Sequence, residues 1–368
     1  MRDNFSLEKL RKPIDAIFEL TVRCNLKCKM CLFRHCEEEN KELVSRELTA
    51  DEWIKIAEDA AKMGTGSILI TGGEPMLRKD FHEIYKGIYK QGFMISLYTN
   101  ATLVDDRIME LLSEYPPHKI GISIYGASGE AYEKICGNKN AFDKAIKGAK
   151  KLITLPSVVD FRTTVIEDNY NDAYEIDELI KKQFGEKYSV TMTRMVMKAV
   201  RGGCADVESC RLSPEKNVHL SHKRAIEKLR SIIGESFDIN NVRFRYQKKN
   251  TDCEIYGEEK ISLLGCGGGM RSYCVTYDGL LQACQVLGQF TTDVKNNGLK
   301  KAWDDFPSTV KLPPMNEKCK SCGITDFCQC CPASRYAETG SASGCPEYAC
   351  DDAQISHNLC KKEKKNDV

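Results

Sequence analysis

Between residues 14 and 194 short apolar runs alternate with longer stretches in which apolar side chains recur every three or four positions. The short runs predict strands at 14–20, 67–70, 93–98, 119–124, 159–165 and 188–193. The longer stretches predict amphipathic helices at 50–63, 80–91, 105–113, 141–153 and 173–184. Such alternation argues for repeated βα units on a parallel sheet, because parallel strands need a crossover to return in the same direction. Periodicity alone does not choose between a partial (β/α) barrel and a doubly wound sheet. Residues 200–213 read as a linker carrying Gly202 and Gly203. Ser213-Pro214 then supplies a cap and a first-turn proline for a helix to about Ile233. Beyond Asn250 the chain turns Cys- and Gly-rich with little helical periodicity, so a large apolar core is not expected there and bound metal is the expected organiser. The charged tail from Lys361 is expected to fray. These shifts divide the chain into 1–199, 200–250, 251–352 and 353–368.

Composition changes the picture mainly through cysteine. The 368 residues are 42% hydrophobic, enough for a real core, and carry 54 Lys+Arg against 53 Asp+Glu. That balance gives no support for nucleic acid or a membrane surface as partner. No apolar run is long enough to span a bilayer, and 1–10 lacks the apolar centre of a signal peptide. The expected location is the cytoplasm, where thiols stay reduced. Nineteen cysteines there, an odd number, point to metal or catalysis rather than a disulfide framework.

Their spacing carries the chemistry. Cys24, Cys28 and Cys31 follow the first predicted strand, and twelve more lie between Cys253 and Cys360. Three thiolates in this pattern can hold three corners of an iron–sulfur cube and leave one iron open, as chemistry requires. The bland alternative is a zinc site completed by His35 or Cys36. Isolated Cys136 and Cys204 read as small core hydrophobes. The seven cysteines from Cys319 to Cys350 need a soft metal to neutralise them.

The C-x3-C-x2-C pattern, with features that follow in chain order, resembles the radical S-adenosylmethionine (SAM) enzymes. Thr71-Gly72-Gly73-Glu74-Pro75 follows the second strand and looks like that family's GGEP segment, which receives the SAM amino group. Paired glycines allow close backbone approach, and a carboxylate can accept from an ammonium. Thr99-Asn100-Ala101-Thr102 resembles the TNGT segment, with alanine in place of glycine. Ser123 ends the fourth strand, where family members often place a SAM-contacting serine. Arg162 and Thr164 lie on the fifth strand, Arg194 ends the sixth, and Met30 stands where the family usually has an aromatic. Each segment falls at the carboxyl end of a successive strand, the active-site face of parallel barrels. The resemblance covers about 14–194 and implies a partial (β/α)6 TIM-like barrel. That barrel would hold a [4Fe–4S] cluster on Cys24, Cys28 and Cys31, with SAM against Gly72, Gly73, Glu74, Pro75, Thr99, Asn100, Ser123 and Arg162.

The second half is similar to the SPASM extension, which holds up to two auxiliary [4Fe–4S] clusters. Cys266, Gly279-x4-Cys284 and Cys319-x2-Cys322-x5-Cys328 match its spacing. Cys331 comes one residue early, with Cys330 spare, so which of the two is a ligand stays open. By analogy one cluster takes Cys266, Cys284 and Cys331, with a fourth ligand from Cys253 or Cys274. The other takes Cys319, Cys322, Cys328 and Cys350, with Cys345 as competitor to Cys350. A zinc-knuckle domain is the bland alternative.

The family likeness implies reductive cleavage of SAM and abstraction of a substrate hydrogen. The expected substrate is a peptide or protein that is crosslinked, epimerised or oxidised, with an electron donor such as flavodoxin or ferredoxin. The alternative is a small-molecule enzyme such as a porphyrin side-chain decarboxylase, and the remote one a non-catalytic iron–sulfur or zinc protein. Only 13 residues precede the first predicted strand, so an N-terminal leader-binding domain is not expected. Six dispersed histidines without HExxH argue against a zinc hydrolase. Cys266-Gly267-Gly268-Gly269 lacks the lysine of a phosphate loop. Glu37–Glu39, Asp351, Asp352 and His357 read as solvated positions, Tyr98 and Tyr125 as facing the site, and Cys204 or Cys210 as candidate thiol hydrogen donors.

Overall fold

A computed structural model describes residues 11–198, 204–234 and 263–365. Its first half is a chain of βα units: β1 (Asp15–Glu19), α1 (Glu37–Ser45), α2 (Ala50–Lys62), β2 (Ser67–Thr71), α3 (Phe81–Tyr89), β3 (Met94–Thr99), α4 (Asp106–Glu114), β4 (Lys119–Ser123), α5 (Gly129–Cys136), α6 (Ala141–Leu152), β5 (Val158–Thr164), α7 (Ala173–Phe184) and β6 (Val190–Thr193). Alternate strand positions reach the core: Ile68 and Ile70 on β2, Ile95 and Leu97 on β3, Ile120 and Ile122 on β4 are all buried. Helices cover them with complementary stripes. On α2, Trp53, Ile56, Ala57 and Ala60 are buried at helical spacing. Thr49 starts that helix, its hydroxyl accepting from Glu52 N while Glu52 Oε2 accepts from Thr49 N at 2.7 Å.

Six strands run parallel in the order β1 to β6, the partial-barrel arrangement with its connecting helices outside. Each lies within two residues of its sequence expectation. Two helices were not anticipated, α1 and α5; Glu37–Glu39, read as solvated charge, is the first turn of α1.

The second half begins with α8 (Val207–Cys210) and α9 (Pro214–Ile233), the latter capped by Ser213 as its sequence suggests. Then come β7 (Ser272–Val275), β8 (Leu280–Gln282), β9 (Thr292–Asp293), α10 (Val294–Asn297), α11 (Leu299–Thr309), α12 (Glu317–Lys320), α13 (Pro332–Thr339) and α14 (Glu347–Lys365). β7 adds to the free side of β1 in parallel, pairing Asp15 with Ser272 and Phe18 with Val275, and β8 and β9 continue antiparallel. Among the described residues the sheet therefore has nine strands.

This corrects the expectation of a second half without an apolar core. Leu264, Tyr273, Val275, Leu281, Leu287, Phe290, Trp303 and Phe306 belong to the same buried cluster as the barrel residues Phe18 and Trp53. Strands of four, three and two residues are too short to display an alternation. Arg11 locks the join: its Nε donates to Gly269 O at 2.7 Å, its Nη2 to Trp303 O at 2.9 Å, and its guanidinium lies over the Trp303 ring. The charged tail, expected to fray from Lys361, continues as helix to Lys365. No helix among the described residues is long and apolar enough to cross a membrane.

Candidate active site at the carboxyl ends of the strands

The loop after β1 carries Cys24, Cys28 and Cys31, and its base is held by buried charge. Thr21 Oγ1 donates to Glu47 Oε1, Arg23 Nη2 donates to Glu47 Oε2 at 2.7 Å, and buried Arg78 donates to Leu20 O and Leu48 O at 2.8 Å each. The far side of the loop is pinned to the end of α5, where Lys27 N donates to Cys136 O and Lys29 N to Ile135 O. Cys136 is fully buried, as its reading as a core residue requires.

Two glycines bring the next strand end against this loop. A Cβ on Gly72 would lie 2.5 Å from Thr21 O, and Gly72 has φ +141°, so the close approach and the backbone conformation both demand glycine. A Cβ on Gly73 would run into the Arg23 carbonyl. Glu74 turns the other way. Its carboxylate is fully buried, accepts from Thr99 Oγ1 at 2.9 Å and from Asn100 N at 2.8 Å, and is absent from the cavity lining. Burial pushes its pKa up to about 7. The sequence expectation gave this carboxylate to the SAM ammonium. In the structure it clamps the end of β2 to the end of β3, and Gly72 and Gly73 line the cavity instead. Pro75 is also buried, opening a short 3-10 turn.

Asn100 is the centre of a second clamp. Its Nδ2 donates to Asn25 Oδ1 at 3.0 Å and lies 3.8 Å from Cys24 Sγ, while its Oδ1 accepts from Thr102 Oγ1 at 2.6 Å. Asn25 in turn donates to Thr102 Oγ1 at 2.8 Å. The Cys loop and the Thr99–Thr102 loop are thus one hydrogen-bonded unit. Asn25 was not singled out in the sequence; nothing in periodicity marks a polar residue beside a candidate ligand.

These parts meet around a cavity of about 530 Å³, lined by Cys24, Cys28 and Cys31 together with Gly72, Gly73, Tyr98, Thr99, Asn100, Ser123, Tyr125 and Thr164. Both tyrosines lie on this face as expected, and Met30 lines it too. Arg162 is not part of that lining: its guanidinium stacks 4.5 Å from the centre of the Tyr98 ring, and Tyr98 fills the space left by Gly121.

All three loop thiols are pushed towards the protonated state. Enclosure by protein and then Glu74 raise Cys24, contact with Cys136 and then burial raise Cys28, and burial raises Cys31 to about 11. A single zinc would draw its sulfur ligands to about 3.8 Å from one another. Among the described residues no three His, Cys, Asp or Glu side chains converge in that way. Three separated thiols around an open space fit a larger soft group such as an iron–sulfur cube.

In the Cys-rich region the electrostatic neighbours of the thiols fall into two sets. Cys284 is raised by burial and then by Cys331 and Cys266, which share its surroundings. Cys319 lies 3.2 Å from Arg335 Nη1, and Cys345 Sγ lies 3.2 Å from Cys350 Sγ. The free thiol of Cys328 neighbours that of Cys330, and the Arg335 guanidinium feels Cys319, Cys330 and Cys328 together. Adjacent Cys330 and Cys331 therefore face opposite sets. Cys322 sits one turn from Cys319. Cys274 is fully buried on β7, and Cys253 lies outside the described residues. Arg335 was missed in the sequence, although Cys331-Pro332 marks the start of its helix and places it one turn in.

One sequence reading of a single cysteine changes. Cys204 is half-buried rather than core and is disulfide-bonded to Cys36, 168 residues away, with both residues on the cavity wall. Cys210 is buried. Asp352, read as solvated, is half-buried, donated to by Asn217 Nδ2, and pushed up to about 6 by burial.

Comparison with known proteins gives one consistent picture. Residues 18–180 match the family described as the Radical SAM superfamily. The AdoMet-dependent heme synthase of Methanosarcina barkeri is 27% identical over 88% of this chain and 92% of its own length. The antilisterial bacteriocin subtilosin biosynthesis protein AlbA of Bacillus subtilis is 24% identical over 90% of this chain and 67% of its own length. The crystal structure of Streptococcus suis SuiB bound to S-adenosylmethionine superposes with a TM-score of 0.66 at 18% identity, covering 94% of this chain and 79% of that one.

Proposed function

We propose that the chain, whose residues 18–180 match the Radical SAM superfamily, is a radical SAM enzyme that abstracts a hydrogen atom from a peptide or protein substrate to crosslink, epimerise or oxidise it. Cys24, Cys28 and Cys31 would hold the cluster, and Gly72, Gly73, Thr99, Asn100 and Ser123 would seat SAM. When bound, cluster and SAM together supply one-electron cleavage and hydrogen-atom abstraction. The residues of the chain do the rest. Gly72 and Gly73 offer backbone at close range, and the Glu74 clamp fixes the loop that carries Asn100. Asn100 directs an amide towards Cys24, a contact that favours the thiolate. Tyr98 and Tyr125 supply ring surface to the cavity wall.

One observation carries this reading: residues from five strand ends converge on a single cavity open to solvent, so the reacting carbon can be presented from outside by a side chain. The likeness to AlbA, over 90% of this chain and 67% of that one, supports the substrate class. The auxiliary sites would be Cys266, Cys284 and Cys331 for one cluster and Cys319, Cys322, Cys328 and Cys350 for the other, with Cys345 as rival to Cys350. A flavodoxin- or ferredoxin-type donor would supply the electron. Replacing Cys24, Cys28 and Cys31 with alanine should abolish 5′-deoxyadenosine formation by the anaerobically reconstituted protein. Its persistence would overturn the assignment.

A second reading has its own support. A heme synthase relative and an Fe-coproporphyrin III synthase relative at 26% identity both align along most of the chain, so a tetrapyrrole side chain is the alternative substrate. Incubation with Fe-coproporphyrin III and SAM decides it. Loss of carboxyl mass from the porphyrin favours this reading, and an unchanged porphyrin favours the peptide one.

A further inference from the structure

Cys36 and Cys204 come from distant parts of the chain, one before α1 and one before α8, yet meet in the wall of the same cavity as Cys24, Cys28 and Cys31. Both residues are half-buried, unlike Cys136 and Cys210, which are buried and unpaired. A structural crosslink is normally sealed away from reductant. This one lines the wall of the open cavity.

We infer that Cys36 and Cys204 form a thiol–disulfide exchange site in the cavity wall, whose co-substrates are low-molecular-weight thiols and disulfides of the glutathione class. An incoming thiolate attacks the Cys204 sulfur, the S–S bond breaks, and Cys36 departs with the electron pair. Cys36 is the better leaving group because it caps the N-terminus of α1, where backbone N–H groups stabilise a thiolate. A second thiolate attacks the small-molecule sulfur of the mixed disulfide and releases the oxidised co-substrate and the Cys204 thiolate. Each protein thiolate then takes one proton. Two electrons pass to the protein and two small thiols become one disulfide. In the reduced state the wall presents two S–H groups; in the oxidised state it carries a covalent strap from the first loop to the segment before α8.

The chemistry of the pair stands without the radical reading, but its location predicts a link that rests on SAM occupying the cavity. The reconstituted chain is equilibrated anaerobically in a series of glutathione to glutathione disulfide ratios, quenched in acid, alkylated and mapped by mass spectrometry. Cys36 and Cys204 should convert together as one crosslinked peptide pair, while Cys136 and Cys210 alkylate at every ratio. Alkylation of Cys36 and Cys204 at all ratios overturns the proposal. Cys36→Ser should accumulate glutathione on Cys204, and wild-type protein quenched early in reduction should show the same adduct site. An adduct on Cys36 instead overturns the order of attack. Saturating SAM should slow exchange several-fold in a sample shown by equilibrium dialysis to bind it. Equal rates in such a sample overturn the shared location. A sample that binds no SAM counts against the radical reading, and the glutathione series then decides the pair alone.

Discussion

Gly148 on α6 shows how far the site's demands reach into the fold. A Cβ there would strike the carbonyl oxygen of Ala101, the residue that stands in the family's glycine position with φ +58°. A left-handed alanine is strained, and the buried shell around it has no slack. Gly148→Ala should therefore cost about 1–3 kcal/mol in urea unfolding, in the range of an overpacked core. It should also weaken SAM binding by displacing Asn100. Unchanged SAM affinity would show that α6 does not set the loop. Asn25→Ala tests the same loop from the other side. Asn100 would lose its anchor to the Cys loop, and SAM affinity should fall about tenfold, worth about 1.4 kcal/mol. At this scale the sequence was legible where residue type alone constrains geometry, as at Gly72, Gly73 and Cys24–Cys31. It was silent where the decision depends on which way a side chain turns. Glu74 turned inward, and Cys330 and Cys331 parted company, because neighbours on a chain share no direction until the backbone is fixed.

Elements were legible in proportion to their length and contrast. Strands β1 to β6 and the helices that cover them carry clear period-two and period-3.6 patterns, so each was placed closely. Helix α1, Glu-Glu-Glu-Asn-Lys-Glu-Leu-Val-Ser, has almost no apolar stripe, and α5 is only eight residues long. Between β2 and β3 the Glu74 clamp carries a pH signature. Folding raises its pKa from 4.5 to about 7, so the folded chain holds a proton that the unfolded chain has released across that interval. The stability this gives is fully present below pH 4.5 and is lost as pH rises through 7, by up to roughly 3 kcal/mol. Urea midpoints between pH 5 and 8 should fall with rising pH more steeply in wild type than in Glu74→Gln. Parallel slopes would place the proton elsewhere. The Gln variant keeps one acceptor for Thr99 or Asn100 but not both, so it should also bind SAM less well.

For the whole molecule, the cysteine count pointed to metal without saying how many groups are held. Three cubes require about twelve iron per chain, and one requires about four. Iron and sulfide analysis after anaerobic reconstitution should approach the higher figure, and replacing Cys319, Cys322 and Cys328 together should remove about four iron. A value near four in the wild type would limit the Cys-rich region to a structural role. What no local pattern could reveal is that the second half completes the first half's sheet, since the pairing of β1 with β7 joins residues far apart in sequence. That pairing also has a temporal meaning. When β1 leaves the ribosome, one of its edges has no partner until β7 has been made. At ordinary synthesis rates this leaves the edge uncovered for roughly 10–50 s. Through that interval the nascent chain carries an unsatisfied strand edge beside Ala16 and Phe18, the kind of template on which other chains add. Yield in a producing cell should thus depend on how quickly the ribosome reaches Val275.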